Sequence, residues 1–169
     1  FVVLSVEKRL CLIGDTEYAG EIQHALLTAL NFLLPRREVL PMQCAANADR
    51  GGDTALFFGL PGAGKTTLAT DPRRGLVGDD AHGWSDLGVF NLEGGGHASV
   101  HRLSASEEPE IFATTRRFGT LLENVAIDPV TREIDLDDAS VAGNARASYP
   151  LRFVAGALPD GRAGHPKHV

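Results

Sequence analysis

The stretch Leu56-Phe57-Phe58-Gly59-Leu60-Pro61-Gly62-Ala63-Gly64-Lys65-Thr66-Thr67 is an apolar run leading into the pattern GxxxxGKT. That spelling matches the phosphate-gripping loop of nucleoside triphosphate proteins and predicts a strand, a loop and a helix in that order. Triphosphate oxygens have to be met by several backbone N–H groups at once. Glycines at 59, 62 and 64 let the chain curl tightly enough, past Leu60, Pro61 and Ala63, to aim those groups inward. Lys65 adds a mobile positive charge, and the hydroxyl of Thr66, with Thr67 beside it, can join the shell of a divalent ion bridging the β and γ phosphates. The helix is expected from Lys65 to Thr70, stopped by Asp71-Pro72. The competing reading is an ordinary glycine-rich turn.

With 169 residues, 43% hydrophobic and 22% charged, the chain has material for about one globular domain with a core. A net charge of −6 argues against a nucleic-acid surface, so substrate phosphates must be met by a local patch. Cys11 and Cys44 lie in no metal or redox spacing, which suits a reducing compartment. There is neither a signal-peptide pattern nor an apolar run of membrane-spanning length, and a cytoplasmic protein is expected. The chain opens on Phe1 and closes on Lys167-His168-Val169 with no terminal signal, and a fragment is expected.

Val2 to Val6 and Leu10 to Ile13 read as short strands, followed by a polar loop. A helix is expected from Glu21 to Leu34, with Ile22, Leu26, Ala29, Leu30 and Leu33 as its apolar face, Glu21, His24, Thr28 and Asn31 as a polar stripe, and Pro35 as its stop. After a Pro41-bearing connection and the phosphate loop, Leu76-Val77-Gly78-Asp79-Asp80 reads as a strand feeding two carboxylates. Strands are expected at Val89 to Leu92 and Ala98 to Leu103, flanking a triple-glycine turn. Ser104 to Glu107 spells a capping box for a helix reaching about Arg117. Two further strands, Leu121 to Ile127 and Ile134 to Leu136, bracket Asp128-Pro129. The sum is a mixed α/β architecture.

Adjacent carboxylates at a strand end can serve two tasks, because alternate residues face opposite ways. Asp79 and Asp80 could thus support a nucleotide-bound ion and bind a second ion, the bland alternative being a solvated turn. His97, Ser99 and His101 alternate and, on a strand, would share one face toward the phosphates. Arg116 and Arg117 read as helix-end charges, and Glu133, Asp135, Asp137 and Asp138 as a solvated acidic edge.

With these residues in view, the chain resembles the ATP-dependent phosphoenolpyruvate carboxykinases. The matching segments are TEYAGE (16 to 21), LPMQCAAN (40 to 47), FFGLPGAGKTTLATDP (57 to 72), LVGDDAHGW (76 to 84), GVFNLEGG (88 to 95), EPEI (108 to 111), LLENV (121 to 125), ARASYP (145 to 150) and GHPK (164 to 167). The resemblance implies an α/β fold, a mixed-sheet P-loop nucleotide-binding domain of the carboxykinase type, here incomplete. Residues 1–40 would end the substrate-side domain and 41–169 would form part of the nucleotide domain. It also implies the reaction of oxaloacetate with ATP to give phosphoenolpyruvate, CO2 and ADP, with Mg2+ on the nucleotide and Mn2+ at a second site. The expected partners are oxaloacetate and ATP, with no nucleic acid, no membrane and a monomeric state. Carried over by position, Lys65 and Thr66 hold the triphosphate and its magnesium, Asp79 supports that ion and Asp80 ligates manganese. Tyr18 and Arg146 handle oxaloacetate and the enolate, and Glu93 and Arg146 join the nucleotide contacts.

Three departures fall within the implied chemistry. The family's GExKK is Gly20-Glu21-Ile22-Gln23-His24 here, so His24 stands at the manganese-binding lysine. The family's LPMHC is Leu40-Pro41-Met42-Gln43-Cys44, so Gln43 replaces a metal-binding histidine. In GGCYAK the lysine that steadies the transferred phosphate is Ser99, a loss of charge that commonly costs about 10²- to 10³-fold in rate. A set of His24, Gln43 and Asp80 should lean away from nitrogen-preferring metals, and His97 or His101 could offset part of the lost charge. The family's upstream arginine, adenine-binding segment and lid are expected to lie outside this chain, which alone should not turn over. The alternatives are a catalytically impaired ATP-binding pseudoenzyme and, less economically, another kinase built on the same loop.

Overall fold

A computed structural model describes residues 1–60 and 62–169; the expected nucleotide contact at Pro61 lies outside the described residues. The chain starts with a hairpin, β1 (Val2–Ser5) and β2 (Leu10–Ile13), in the register Val2↔Ile13 to Ser5↔Leu10. Helix α1 follows at Gly20–Leu33, and Pro35 then sits first in a 3₁₀ turn, Pro35–Arg37, where a missing N–H costs nothing. The buried side of α1 is not the expected one. Ala25 and Leu27 are buried, whereas Ile22, Leu26 and Leu33 are exposed by about half. The helix is rolled so that Gln23 points inward.

The Pro41 connection is in fact strand β3 (Leu40–Gln43), and among the described residues it pairs only with β7 (Ala81–Ser85). Proline is tolerated there because an edge strand has one unpaired side. Next come β4 (Ala45–Ala48), β5 (Thr54–Phe57), α2 (Lys65–Ala69) and β6 (Gly75–Gly78), then β8 (Gly88–Asn91) after β7. Strand β9 spans Gly95–Ser99, so the last two of the three glycines are strand residues. A Cβ on Gly95 would fall 2.5 Å from the Tyr149 carbonyl oxygen, and one on Gly96 2.7 Å from the Tyr149 ring, so the close backbone approach explains the glycines better than a turn does. His101 lies beyond the end of β9 and does not share the strand face of His97 and Ser99.

Helix α3 occupies Pro109–Thr115, shorter than expected at both ends. Ser104 accepts the N–H groups of Glu107 and Glu108 into a separate turn, and Pro109 fixes the start of the helix at N1. The long strand expected at Leu121 to Ile127 breaks into β10 (Leu121–Glu123) and β11 (Ala126–Ile127), because Asn124 takes a φ of +58° between them. β11 pairs with β12 (Ile134–Asp135), and β13 (Arg146–Pro150), β14 (Arg162–Ala163) and β15 (Pro166–His168) complete the chain.

Three sheets position the site. Their orders are β15-β5-β4-β6, β14-β8-β7-β3 and β10-β13-β9, antiparallel throughout except that β15 runs parallel to β5. Strand β4 is buried on both faces and divides the core. Ala45 packs with Leu76, Val100, Ile111, Ala147 and Tyr149 on one side, and Ala46 packs with Met42, Leu56, Val77 and Val89 on the other. Small side chains suit a strand with packed layers on both faces. Asn47 is the polar exception in β4. Its Nδ2 donates to the Leu68 and Ala69 carbonyls at the end of α2, both at 3.2 Å, and its Oδ1 accepts from Arg74 Nε at 2.7 Å.

Candidate active site

The chain leaves β5 at Phe57 and re-forms regular structure at Lys65, so the loop between them joins the sheet to α2. Gly62 and Gly64 adopt φ of +81° and +82°, values that L side chains resist, and Gly64 is the residue from which α2 starts. The Ala63 N–H donates to the Leu60 carbonyl at 3.1 Å, and Lys65 Nζ donates to the same oxygen at 3.1 Å, which lays the lysine stem over the loop. Gly59 is tight against the far side of the turn, since a Cβ there would be 3.1 Å from that of Ala63.

The two acids after β6 diverge. Asp79 is 8% exposed, and its Oδ1 accepts the Thr66 hydroxyl at 2.7 Å, linking the first turn of α2 to the strand end. Burial pushes its carboxyl above the ordinary range, and the Thr66 hydrogen bond works in the opposite direction. Asp80 instead accepts from Gln23 Nε2 of α1 at 3.1 Å and from Gln43 Nε2 of β3 at 3.3 Å. Gln23 Nε2 also donates to Glu93 Oε1, and Glu93 Oε2 accepts the Ala81 N–H at 3.3 Å. Burial, and after it the Asp80 carboxylate, pushes Glu93 up to about 7. Thr67 donates to Glu108 Oε1 at 2.9 Å, which ties α2 to the residue before α3. The sequence reading assigned no role to Gln23 or Glu108. The EPEI segment was the signal available for Glu108.

Behind these acids lies His82, fully buried and held neutral, its pKa pulled down to about 4 by burial. Its Nδ1 donates to the Cys44 carbonyl at 2.9 Å, while the Cys44 N–H donates to the Asp80 carbonyl at 2.8 Å. The backbone carrying Gln43 is thereby tied to the backbone carrying Asp80. Farther along β7, the Trp84 indole donates to His165 Nδ1 at 2.9 Å, which brings together the GDDAHGW and GHPK segments.

A second part of the site is a cavity of about 250 Å3 between the start of α1 and one face of the β10-β13-β9 sheet. Tyr18, His24, His97, Glu123, Asn144 and Arg146 line it. Glu123 and Ser99 flank Arg146 in register, and Arg146 Nε donates to Asn144 Oδ1 at 2.9 Å. Glu123 Oε1 accepts the Ala19 N–H at 3.0 Å and so pins the Tyr18 turn to the sheet. The LLENV segment contained this residue, but nothing in its spelling marked the role.

His24 therefore stands with Tyr18 and Arg146, while Asp80 is met by Gln23 and Gln43. Of the expected set of His24, Gln43 and Asp80, the last two are in contact, and among the described residues His24 makes no hydrogen bond to Asp80. Successive residues on a helix point about 100° apart, and α1 is rolled to bring Gln23, not His24, to the carboxylate. Among the described residues no three His, Cys, Asp or Glu side chains are placed to hold a metal ion. The Thr66–Asp79 pair at a loop with two left-handed glycines does suit a nucleotide-bound divalent ion. The side chains that meet Asp80 are the two amides, Gln23 and Gln43.

The model of the phosphoenolpyruvate carboxykinase family matches residues 1–169. A phosphoenolpyruvate carboxykinase (ATP) of Methylobacterium nodulans is 59% identical over 162 residues, covering 96% of this chain and 30% of that relative. Proteins of the same name from Geobacter sp. strain M21 and Geobacter metallireducens are 54% and 55% identical, each covering all of this chain and 32% of the relative. The chain spans about a third of the length of the curated relatives it matches. It belongs to the phosphoenolpyruvate carboxykinase family.

Proposed function

We propose that the protein carrying this chain converts oxaloacetate and ATP to phosphoenolpyruvate, CO2 and ADP, acting as a cytoplasmic monomer. Residues 1–40 would close its substrate-side domain and 41–169 would form part of a P-loop nucleotide domain. The observation that carries this reading is the presence of two sites in one chain. The Thr66–Asp79 hydrogen bond sits at a glycine-bent loop, and a separate polar cavity holds Tyr18 and Arg146. The names of the relatives supply the reaction.

In this reading the loop amides between Gly59 and Thr67 and the Lys65 ammonium would hold the polyphosphate, and Thr66 with Asp79 would hold a Mg2+ ion, which would supply neutralising charge to the phosphates. Arg146 binds the substrate carboxylate and then the enolate oxygen left by loss of CO2, aligning it for phosphoryl transfer. Tyr18 closes the opposite wall of the cavity, and half-buried Glu93 fixes Gln23 and, through it, Asp80. No step is assigned to a second metal.

The test is formation of phosphoenolpyruvate by the full native product, dependent on both oxaloacetate and ATP, in Mg2+ with and without Mn2+. Turnover above background supports the reading, and none with either ion refutes it. The amide clamp on Asp80 and the exposed Ser99 favour a second reading, an ATP-binding protein that has lost the chemistry. Restoring charge and imidazole with Ser99→Lys and Gln43→His separates the two: revived turnover marks decay of an old site.

A further inference from the structure

The floor of the 250 Å3 cavity is one face of a three-stranded sheet, and one of its side chains has no task in the reaction as described above. In β13 the pattern alternates: Ala147 and Tyr149 point into the core, and Arg146 and Ser148 point the other way. Across the ladder Arg146 pairs with Ser99 and Ser148 with His97. His97 and Arg146 are therefore diagonal neighbours on the same face, and both line the cavity under Tyr18 and His24.

The His97 ring is fixed at one end and open at the other. Nδ1 lies 2.7 Å from Ser148 Oγ. Nε2 points to the start of α1, where a Cβ on Gly20 would come within 3.3 Å of it, so glycine at 20 leaves this nitrogen room. No hydrogen-bond partner for Nε2 is present among the described residues. His97 also lines the larger apolar cavity of about 540 Å3 bounded by Ile22, Leu26 and Leu30, and so forms the wall between an apolar space and a polar one. Burial, and then the Arg146 guanidinium, lowers the pKa of this imidazole and keeps it neutral. In the neutral ring a Ser148 hydroxyl donating to Nδ1 leaves the proton on Nε2, facing the cavity.

Resting on the oxaloacetate reading of this cavity, we propose that His97 is a substrate-contacting, specificity-determining residue: in the tautomer in which Ser148 donates to Nδ1, its Nε2–H donates to a carboxylate oxygen of a small dicarboxylate whose charge is met by Arg146. One cation and one neutral donor on a single sheet face favour a planar, doubly oxygenated anion over a monocarboxylate of the same size.

The probe is oxalate, titrated by calorimetry into the full native protein and its variants in the presence of a chelator. His97→Phe, which keeps a ring and loses the donor, should weaken binding about tenfold or more, the usual size for a hydrogen bond to a charged group. His97→Gln, whose amide can replace the Nε2 donor, should stay within about threefold of the parent. Arg146→Ala should abolish binding. If His97→Phe binds as tightly as the parent while Arg146→Ala does not bind, the role of His97 is overturned and the cavity reading stands. If Arg146→Ala also binds normally, the cavity reading itself fails. Should His97→Phe not fold, the imidazole 15N signals of the unmodified protein decide: an oxalate-dependent shift at Nε2 of His97 supports the contact, and no shift overturns it.

Discussion

The Thr66 hydroxyl donates to Asp79 Oδ1 across 2.7 Å, joining the helix after the phosphate loop to the strand that ends in two acids. Both groups would be ligands, direct or through water, of a nucleotide-bound ion, so each keeps the other aimed. Asp79→Asn keeps the shape and loses the charge. It should weaken Mg2+–ATP binding at least tenfold while leaving ATP binding without Mg2+ within about threefold, measured by calorimetry with and without chelator. Equal losses in both conditions would show that Asp79 acts only on the fold.

Asn47 serves three partners from inside a strand buried on both faces. Asn47→Leu keeps the branched outline but adds bulk at a fully buried site and removes the partner of Arg74 Nε and of two carbonyls of α2. A loss of about 3 kcal/mol in unfolding free energy is expected by urea titration. A change below about 1 kcal/mol would mean that water replaces the amide.

Two groups, His82 buried and Glu93 half-buried, set opposite pH slopes on stability. His82 has its pKa lowered to about 4, so between about 4 and 6.5 the unfolded chain binds a proton that the folded one refuses, and stability falls as pH falls through that window. The full effect is about 3 kcal/mol. Glu93 is raised to about 7, so the folded chain keeps a proton that the unfolded one has lost, and its contribution falls as pH rises from about 4.5 to 7. In the parent the two oppose each other. Glu93→Gln removes the second, and its stability, measured by denaturant titration in chelator, should climb more steeply with pH from 4.5 to 6.5. A curve parallel to the parent's would contradict the upward shift of Glu93.

The two cysteines differ in access. Cys44 is 0% exposed and its thiol is pushed up to about 12, first by burial and then by Asp80, whereas Cys11 is half-buried on the hairpin. At pH 8 a thiol reagent should modify Cys11 and spare Cys44 until denaturant opens the core, with mass spectrometry assigning the site. Fast modification of Cys44 in the native state would mean that β3 and β4 open locally.

Elements with a strong local cause were legible in the sequence. The glycine pattern at 59, 62 and 64 located the loop, and the apolar runs located the hairpin, β5 and β6. The strand at Pro41 was hidden because proline reads as a breaker unless the strand is known to be an edge, a fact of tertiary structure. Likewise β9 was expected from Ala98 to Leu103 but runs from Gly95 to Ser99, because Gly95 and Gly96 answer the close approach of Tyr149 from far along the chain. The roll of α1 was the costliest miss. Periodicity placed Ile22 and Leu26 inward, yet the polar group of Gln23 found two carboxylates, so Gln23 and not His24 bonds Asp80. Side-chain partners contributed from distant strands, such as Glu123 for Ala19, leave no local signal.

The central claim is that the loop around Ala63 grips polyphosphate with main-chain amides and the Lys65 ammonium. Its most direct test is calorimetric titration of ATP, with saturating Mg2+, into the full native protein and its Lys65→Ala variant, with circular dichroism confirming equal folding. Removing the charge should weaken ATP binding at least tenfold, and equal affinity in parent and variant would contradict the account.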